Sequence, residues 1–347
     1  MVDLAATFLK GTMRNISTNA PSGEEPENTR RSPVLKRSEI HGLMGTVADL
    51  RIWAKTHKAA EMAAGVVLSE IRRLEAVFNV FDAESELCRW RRNEAIHPSI
   101  EFADVMGSAL HWHERSAGLF NPFIDLLSTR WRQAEIDNVT PPSGRMRSIA
   151  DSISDLPFEI RDGQPIAVGD CSALNLNAIA KGYIVDVSSE SGFESDEVSA
   201  LMLNVGGDIR VLGEPPTEVG IENPLRPYDN EPPLITVPLT GGALATSGGS
   251  RRGFRVGDRW CSHVIDPRSG QTATGAASIS VVADSAMESD VVATAASVLS
   301  PSEARSWVST LDGIDAFIVE DDGAIRVTPG WVDRFGEPQP GSAPRQG

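Results

Sequence analysis

Apolar side chains recur along this chain with two spacings, and these predict strands and helices in an irregular order. Residues 46–53 predict a first strand. Four apolar residues then follow at spacings of four, three and four, which predicts a helix around residues 57–78. These residues are Val67, Ile71, Leu74 and Phe78.

The next part of the chain gives one clear helix signal and one stretch without periodicity. A helix is predicted around residues 100–116, because Ser99 is a suitable N-cap and apolar residues follow it on one face. Residues 132–152 contain few apolar side chains and the pair Pro141-Pro142. We therefore expect a surface loop there.

The C-terminal half is richer in strands, and helices are inserted between them. A helix that begins at Ser300 has a cap, a proline at its first position and Glu303 at the capping-box position. Runs of strands with inserted helices favour an α+β fold, with mixed or antiparallel sheets and packed helices, over a doubly wound sheet. Further helices are predicted near residues 178–190 and 286–299, and strands at residues 201–205, 218–222, 234–239, 277–283 and 316–320.

Both ends of the chain are polar and rich in proline. Residues 1–38 are expected to form a disordered leader and residues 336–347 a disordered tail, which leaves residues 39–335 as one enzyme domain. The start has no apolar run of signal-peptide length, and nowhere do about 18 apolar residues follow one another. We therefore expect a cytoplasmic protein without a membrane span.

Composition narrows the class of partner. The chain has 347 residues with 41% hydrophobic and 23% charged residues, which is typical of a globular protein. Its net charge of −16 argues against nucleic acid or an anionic membrane as the main partner, although a local cationic pocket for phosphate is still possible. The three cysteines, Cys88, Cys171 and Cys261, have no disulfide or zinc spacing and are expected to be reduced thiols.

The most informative stretch is residues 260–275, together with a short segment that follows it. His263, Asp266 and Arg268 place an imidazole, a carboxylate and a guanidinium close together. Because His263 lies in an alternating, strand-like segment, a half-buried and hydrogen-bonded histidine is the alternative to a catalytic one.

Asp290 and Thr294 are four residues apart, so on a helix both would face the same way. Two hard oxygens on one face suit Mg²⁺, which is commonly held by few protein oxygens together with substrate phosphates. The alternative is a solvated helix face on which Thr294 bonds back to a carbonyl. The predicted helix is otherwise apolar or small, however, so its few polar groups need partners.

Three further segments could approach a ligand closely. The small residues Ala178, Ala180 and Gly182 surround Lys181, which could meet a phosphate or could simply be solvated on a tightly packed helix. Glycine pairs within residues 204–209 could expose backbone amides to an anion, but a plain turn after a strand uses the same residues. The loop that follows Ala245 could bind phosphate or be a solvated hairpin loop.

Taken in order, these segments resemble the ApbE family of FAD:protein FMN transferases. The resemblance covers about residues 41–330 and implies an ApbE-like, T-fold-related single enzyme domain. The segments that match the family pattern are Met44-Gly45-Thr46, residues 79–86, 118–123, 175–186, 206–209, 220–224, 245–248, 263–270 and 289–294.

This resemblance implies Mg²⁺-dependent transfer of FMN from FAD to a threonine hydroxyl of an acceptor flavoprotein, with release of AMP. His263 would be the catalytic base that deprotonates the acceptor, and Asp290 a catalytic metal ligand. The metal would be held by Asp290, Thr294 and the backbone carbonyl of Ala178. The implied FAD-binding residues are Met44, Phe81 and Asp186 for the adenosine part, and Lys181, Gly206, Gly207, Asp208, Ser247, Gly248, Asp266 and Arg268.

The sequence departs from the family pattern at several positions. Asn175 replaces an acidic residue, which weakens the negative field near the predicted metal. Asn177 and Ala178 stand at glycine positions, Phe81 replaces a tyrosine, and Asn121 replaces an aspartate. Two alternatives therefore stay open: a pyrophosphatase that splits FAD into FMN and AMP, and a flavin-binding protein with weak catalysis.

Overall fold

A nine-stranded antiparallel sheet forms the centre of the molecule. The computed structural model describes residues 14–15, 32–226, 231–249 and 252–338. The strands are β1 (Arg14–Asn15), β2 (Val34–Leu43), β3 (Thr46–Ala54), β4 (Phe158–Arg161), β5 (Gln164–Ala167), β6 (Val198–Val205), β7 (Asp208–Gly213), β8 (Thr217–Ile221), β9 (Ile235–Leu239), β10 (Gly242–Ser247), β11 (Gly253–Val256), β12 (Arg259–Ser262), β13 (Ala276–Ala283), β14 (Asp315–Glu320) and β15 (Ile325–Val327).

Helices cover the sheet and fill the connections between its strands. They are α1 (His57–Phe78), α2 (Glu86–Arg91), α3 (Ile100–Arg115), α4 (Asp125–Asp137), α5 (Ser143–Ser152), α6 (Asn177–Phe193), α7 (Ala286–Ala296), α8 (Pro301–Val308) and α9 (Pro329–Phe335). Among the described residues, no helix has both the length and the apolarity that a bilayer crossing requires.

The strand order of the large sheet is β1-β2-β3-β6-β7-β10-β13-β14-β15, and each neighbouring pair is antiparallel. Three further antiparallel pairs, β4–β5, β8–β9 and β11–β12, stand apart from it. The predicted α+β class with antiparallel sheets and packed helices is confirmed.

Both faces of the sheet are buried. Leu201 and Leu203 of β6 belong to the core that contains α1, α6 and α7, whereas Met202 between them belongs to the core formed with β8, β9 and α9. Successive residues of a strand point to opposite faces, so a strand that is covered on both sides is apolar at consecutive positions. This explains why the central strands have continuous apolar sequences.

The periodic helix predictions are confirmed at their starts. The Thr56 side chain caps α1, the Ser99 side chain caps α3, and Ser300 and Glu303 form the predicted capping box of α8. Each cap satisfies an amide that the first turn of a helix leaves without a partner.

The prediction of a surface loop at residues 132–152 is wrong, because α4 ends and α5 lies within this range. The buried side chains of α4 are few but correctly spaced, at Leu127, Trp131 and Ala134. A helix that buries only a narrow stripe needs few apolar residues, and the low apolar content hid this stripe.

The folded part of the chain also begins before the predicted domain start at residue 39. Strand β2 starts at Val34, and Lys36 and Ser38 alternate with exposed residues on its inner face. These two polar residues concealed the strand pattern. The other residues of the predicted leader up to residue 31, apart from Arg14 and Asn15, and residues 339–347 of the predicted tail lie outside the described residues.

Helices α6 and α7 approach each other at a glycine. A Cβ atom on Gly182 would lie 2.5 Å from the carbonyl oxygen of Ala286 and 2.5 Å from the Cα of Met287. No side chain fits in this space, so the glycine sets the distance between the two helices.

We expect Gly182→Ala to lower the free energy of unfolding by about 1–3 kcal/mol, because the added methyl group forces α7 away from α6. Urea denaturation measures this change. The matched control is Gly65→Ala in α1, where nothing lies within 4 Å of the added Cβ. The control should be more stable by about 0.5–1 kcal/mol. Equal effects of the two substitutions would contradict this account of the contact.

Candidate functional site

A cleft of about 1090 Å³ opens where turns at one end of the large sheet meet α6 and α7. The turn between β2 and β3, the turn between β6 and β7, and the end of β10 supply most of its backbone wall. The predicted site residues that line it are Met44, Phe81, Ala178, Lys181, Gly206, Gly207, Asp208, Ser247, Gly248, His263, Asp290 and Thr294.

A lysine lies between two buried carboxylates on the floor of the cleft. The ammonium group of Lys181 is hydrogen-bonded to Asp208 and lies 3.8 Å from Oδ2 of Asp290. Asp208 is 2% and Asp290 8% exposed. Burial lowers the pKa of Lys181, but Asp290 and Asp208 raise it further, and the net pKa lies above the ordinary lysine value. Lys181 is therefore charged, and its direct hydrogen bond is to Asp208 and not to Asp290.

Of these two acids, Asp290 has the fewer hydrogen-bond partners among the described residues. Its Oδ2 atom is buried without a hydrogen-bond partner among the described residues. Burial first, and then the nearby charge of Asp208, raises the pKa of Asp290 well above the usual aspartate value. A buried carboxylate of this kind is costly unless a cation approaches it.

Two other residues predicted to hold the metal line the same cleft as Asp290. Thr294 lines the cleft one turn along α7, and Ala178 lines it from α6. Within the described part of the chain, no group of three or more His, Cys, Asp or Glu side chains could hold a metal ion. The predicted set instead combines one carboxylate with a hydroxyl and a carbonyl, and such oxygens suit Mg²⁺ when a substrate supplies further ligands.

The alternative of a solvated face on α7 does not hold. Asp290 is buried, and the Thr294 hydroxyl makes no hydrogen bond within the described residues, so it does not bond back to a helix carbonyl. Both groups are available to a ligand in the cleft.

Asp186, predicted to contact adenosine, does not line the cleft. Its carboxylate accepts hydrogen bonds from the backbone amides of Ala286 at 2.7 Å and Met287 at 2.9 Å, and Nε of Arg210 lies 3.3 Å from it. Burial raises the pKa of Asp186 to about 6, while the two amides and Arg210 act in the opposite direction. The carboxylate therefore anchors the start of α7, where the helix dipole favours a negative charge.

His263 is half-buried, directly follows β12 and lines the cleft. Its Nδ1 is 3.1 Å from the carbonyl oxygen of Arg252, and its backbone amide donates to the same oxygen. A carbonyl can only accept, so Nδ1 carries the hydrogen and Nε2 has the free lone pair. Burial lowers the pKa of His263, so the imidazole is neutral near pH 7. Nε2 has no partner among the described residues and can accept a proton.

Asp266 and Arg268, predicted to bind the cofactor, bind each other outside the cleft. The Asp266 carboxylate accepts from Nε of Arg268 at 2.9 Å, from Nη2 at 3.1 Å and from its backbone amide at 2.9 Å. The backbone of Asp266 bonds to Gly270 and Gln271 and closes the turn. Arg268 lines a separate cavity of about 560 Å³. This turn explains the short spacing between Asp266 and Arg268.

Two glycine turns give the cleft a backbone wall. Gly206 and Gly207 have φ values of +61° and +101°, and the Gly207 amide donates to the Asn204 side chain at 3.0 Å. At Gly248 a Cβ atom would lie 2.5 Å from the carbonyl oxygen of Ala277. Only glycine fits either turn. Residues 204–209 therefore form a turn after a strand and also line the cleft, so the two interpretations of this segment are compatible.

The sequence interpretation did not single out Glu75 or Ser278, although both line the cleft. Glu75 accepts a hydrogen bond from the Met44 amide at 2.5 Å, and burial raises its pKa. Glu75 lies on the apolar stripe of α1. A carboxylate within such a stripe is unusual, and this was the feature of the sequence that could have identified Glu75 as a site residue. Ser278 had no comparable signal; its hydroxyl is buried and has no partner among the described residues. Arg252, in the predicted phosphate-binding loop that follows Ala245, also lines the cleft.

Two of the departures from the family pattern have structural roles. The Asn175 amide donates to Asp125 at 2.8 Å, and the Asn121 amide donates to the Ile153 carbonyl at 2.7 Å. An ionised aspartate could not donate either bond. Neither residue lines the cleft, whereas Phe81 does, with 84% of its surface exposed.

Comparisons with known proteins agree on one family. The ApbE family model matches residues 44–318. Curated relatives named FAD:protein FMN transferase include one from Treponema pallidum, 26% identical over 88% of this chain and 90% of the relative, and one from Klebsiella pneumoniae, 30% identical over 82% and 90%.

Solved structures share the fold. The ApbE protein of Thermotoga maritima has a TM-score of 0.74 at 24% identity and covers 88% of this chain and 100% of its own. The apo flavinyl transferase ApbE of Pseudomonas stutzeri has a TM-score of 0.73 at 21% identity, with 88% and 98% covered.

We expect Asp186→Ala to lower the free energy of unfolding of the ligand-free protein by about 2–4 kcal/mol, because two amides and Arg210 lose their partner. Chemical denaturation without FAD measures it. Glu190→Ala, which removes the 60% exposed neighbour of Arg210 on the same helix, is the control and should cost less than about 1 kcal/mol. If Asp186 served only adenosine, its loss would leave the free protein unchanged.

Proposed function

This chain belongs to the ApbE family, and we propose that it transfers FMN from FAD to a threonine hydroxyl of an acceptor flavoprotein, with release of AMP. The observation that carries the proposal is the buried Asp290 carboxylate with its unpartnered oxygen, beside Lys181 and Thr294 and in one cleft with the neutral His263. This combination offers an anion-binding charge, a cation site and a base.

The donor set fits Mg²⁺, which we propose is held by Asp290, Thr294 and the carbonyl of Ala178. When bound, Mg²⁺ would supply charge neutralisation for the phosphates of FAD. The raised pKa of buried Asp290 and its oxygen without a hydrogen-bond partner among the described residues show that its ionised form lacks compensation, and this supports a bound cation at the site.

We propose that His263 is the base. A hydroxyl is a poor nucleophile at its own pKa, and Nε2 of His263 is free to take its proton. The hydroxyl oxygen would form a bond to the FMN phosphorus, and the bond from this phosphorus to the bridging oxygen would break, so that AMP leaves with the bridging oxygen. The carbonyl of Arg252 keeps the required tautomer by holding the hydrogen on Nδ1.

The remaining cleft residues would bind and orient FAD. Lys181, held by Asp208, offers a point charge to a phosphate oxygen. The turns at Gly206 and Gly248 allow close approach of the substrate to backbone. Met44 and Phe81 lie at the wall near Glu75, where we propose that the adenosine part is bound.

Purified protein incubated with FAD, Mg²⁺ and a threonine-bearing acceptor domain should give covalently attached, fluorescent flavin on the acceptor and free AMP. AMP without acceptor labelling would support the pyrophosphatase alternative, and FAD retention without turnover a binding protein. We expect Asp290→Asn to reduce AMP release by about a thousandfold and to weaken Mg²⁺ binding measured by calorimetry in the presence of FAD.

The control for this substitution is Asp104→Asn, which makes the same chemical change at an exposed position of α3. It should leave both readouts unchanged. Normal Mg²⁺-dependent turnover by Asp290→Asn would refute the assignment of the metal ligand.

The pH dependence should report His263. Its neutral form is the active one, and its pKa lies below 6.5, so the rate should rise with pH through a limb below pH 6.5 and then stay constant. We expect His263→Gln to lower the rate by about a hundredfold or more and to remove this limb. His57→Gln, an exposed histidine at the start of α1, should keep the wild-type profile. A limb that survives in His263→Gln would assign the base elsewhere.

A further inference from the structure

Arg252 lies directly opposite the candidate base, at the end of the β11–β12 ladder. The ladder ends with Gly253 opposite Ser262, and the same register continued by one pair places Arg252 opposite His263. The backbone amide and Nδ1 of His263 lie 3.3 and 3.1 Å from the Arg252 carbonyl oxygen. Directly opposite residues of an antiparallel pair have their side chains on one face, and both of these residues line the cleft. The guanidinium of Arg252 therefore belongs to the same part of the cleft as the imidazole.

The side chain of Arg252 has no partner of its own in the described part of the chain. It forms neither an ion pair nor a hydrogen bond there, although the net charge of −16 makes acidic partners abundant. Arg210 and Arg268, by contrast, are paired with Asp186 and Asp266. An unpaired arginine in a cleft is available to an anionic ligand, and its planar fork matches two oxygens of a phosphate.

The positive charge of Arg252 acts on two other groups of the cleft. Burial lowers the pKa of His263, the hydrogen bond to the Arg252 carbonyl raises it, and the charge of the guanidinium lowers it again. Burial also lowers the pKa of Lys181, two carboxylates raise it, and the charge of Arg252 opposes them. The guanidinium therefore lies near both the candidate base and the ammonium group.

The loop before Arg252 lies next to a buried polar group that lacks a partner. At Gly248 an added Cβ would lie 3.0 Å from the Cβ of Ser278, so the loop packs closely on this serine. The Ser278 hydroxyl is buried without a hydrogen-bond partner among the described residues, whereas buried polar groups normally have one. A ligand oxygen beside the loop would supply it. This observation supports a polar ligand next to the segment that carries Arg252.

We propose that the guanidinium of Arg252 binds the flavin-side phosphate of FAD, whose phosphorus is attacked, and stabilises the charge on its oxygens during transfer. The proposal rests on the proposed function, because that function determines where the phosphorus lies. The acceptor hydroxyl must come within roughly 3 Å of Nε2 of His263 and within roughly 3–3.5 Å of the phosphorus. The attacked phosphate therefore lies next to His263, and Arg252 is the cation opposite that residue. Lys181 lies instead beside Asp290, the proposed metal ligand.

FMN and riboflavin, which differ only in the phosphate, test this assignment without any reaction. The fluorescence of each flavin is titrated with the full chain, as wild type and as Arg252→Gln, in the presence of EDTA. We expect the substitution to weaken FMN binding by about tenfold, because a charge-assisted hydrogen bond is lost, and to leave riboflavin binding unchanged. Unchanged FMN binding, or equal losses for both flavins, would overturn the proposal. A loss of affinity for AMP in place of FMN would assign Arg252 to the other phosphate and overturn it as well.

Two further variants separate the guanidinium from the general charge of the hairpin. Arg252→Lys keeps the charge but loses the planar fork, so its affinity for FMN should lie between those of wild type and Arg252→Gln. Arg255→Gln is the matched control, since it makes the same change at an exposed arginine of β11 that does not line the cleft. It should bind FMN like wild type. An equal loss in Arg255→Gln would attribute the effect to the net charge of the hairpin and contradict the assignment.

Transfer kinetics with FAD, Mg²⁺ and the acceptor domain give the second readout. We expect Arg252→Gln to lower kcat by about a hundredfold and to change KM for FAD much less, because the guanidinium meets the charge that develops as the bond to AMP breaks. If this variant keeps the wild-type kcat, the role of Arg252 is wrong and the transfer activity stands. If the wild-type protein labels no acceptor, but Arg252→Gln weakens FMN binding selectively, the phosphate site stands and transfer is contradicted.

Discussion

The close contact between α6 and α7 is the constraint on which the cleft depends. Gly182 allows the start of α7 to lie against α6, and Asp186 ties the first two amides of α7 to that helix. Lys181 directly precedes Gly182 on α6, and Asp290 lies about one turn beyond the contact on α7, so their charged groups come within 3.8 Å of each other. The packing distance between α6 and α7 therefore determines whether Lys181 and Asp290 can compensate each other. A wider separation of α6 and α7 would leave the buried charges of Lys181 and Asp290 unpaired, at a cost of several kcal/mol.

Much of the fold could be predicted from local sequence, because caps and helical spacing act over a few residues. The starts of α3 and α8 follow from Ser99 and Ser300 for this reason. Helix α4 could not be predicted in the same way, since its stability comes from a narrow stripe that packs on distant elements. The start of β2 was hidden likewise, because its inner face carries Lys36 and Ser38.

The order of the motifs along the chain predicted the residues of the cleft better than the chemistry of single residues did. The ordered motifs bring Met44, Lys181, His263 and Asp290 to one cleft. Residue type could not distinguish a carboxylate that serves a ligand from one that serves the chain's own backbone. Asp186 and Asp266 are the examples, because both bind amides of this protein and neither lines the cleft. Asn121 and Asn175 are two further examples of residues that serve the chain itself. Both depart from the family pattern, and both donate hydrogen bonds that hold loops in place.

The walls of the cleft come from segments that are far apart in the chain, from the turn at Met44 to the hydroxyl of Thr294. Any molecule that fills the cleft therefore contacts segments from the β2–β3 turn to α7. By mass action, such a molecule shifts the equilibrium toward the native state of the entire domain and not of one loop. A ligand of the cleft would in this way also protect the domain from proteolysis, which acts on the unfolded chain.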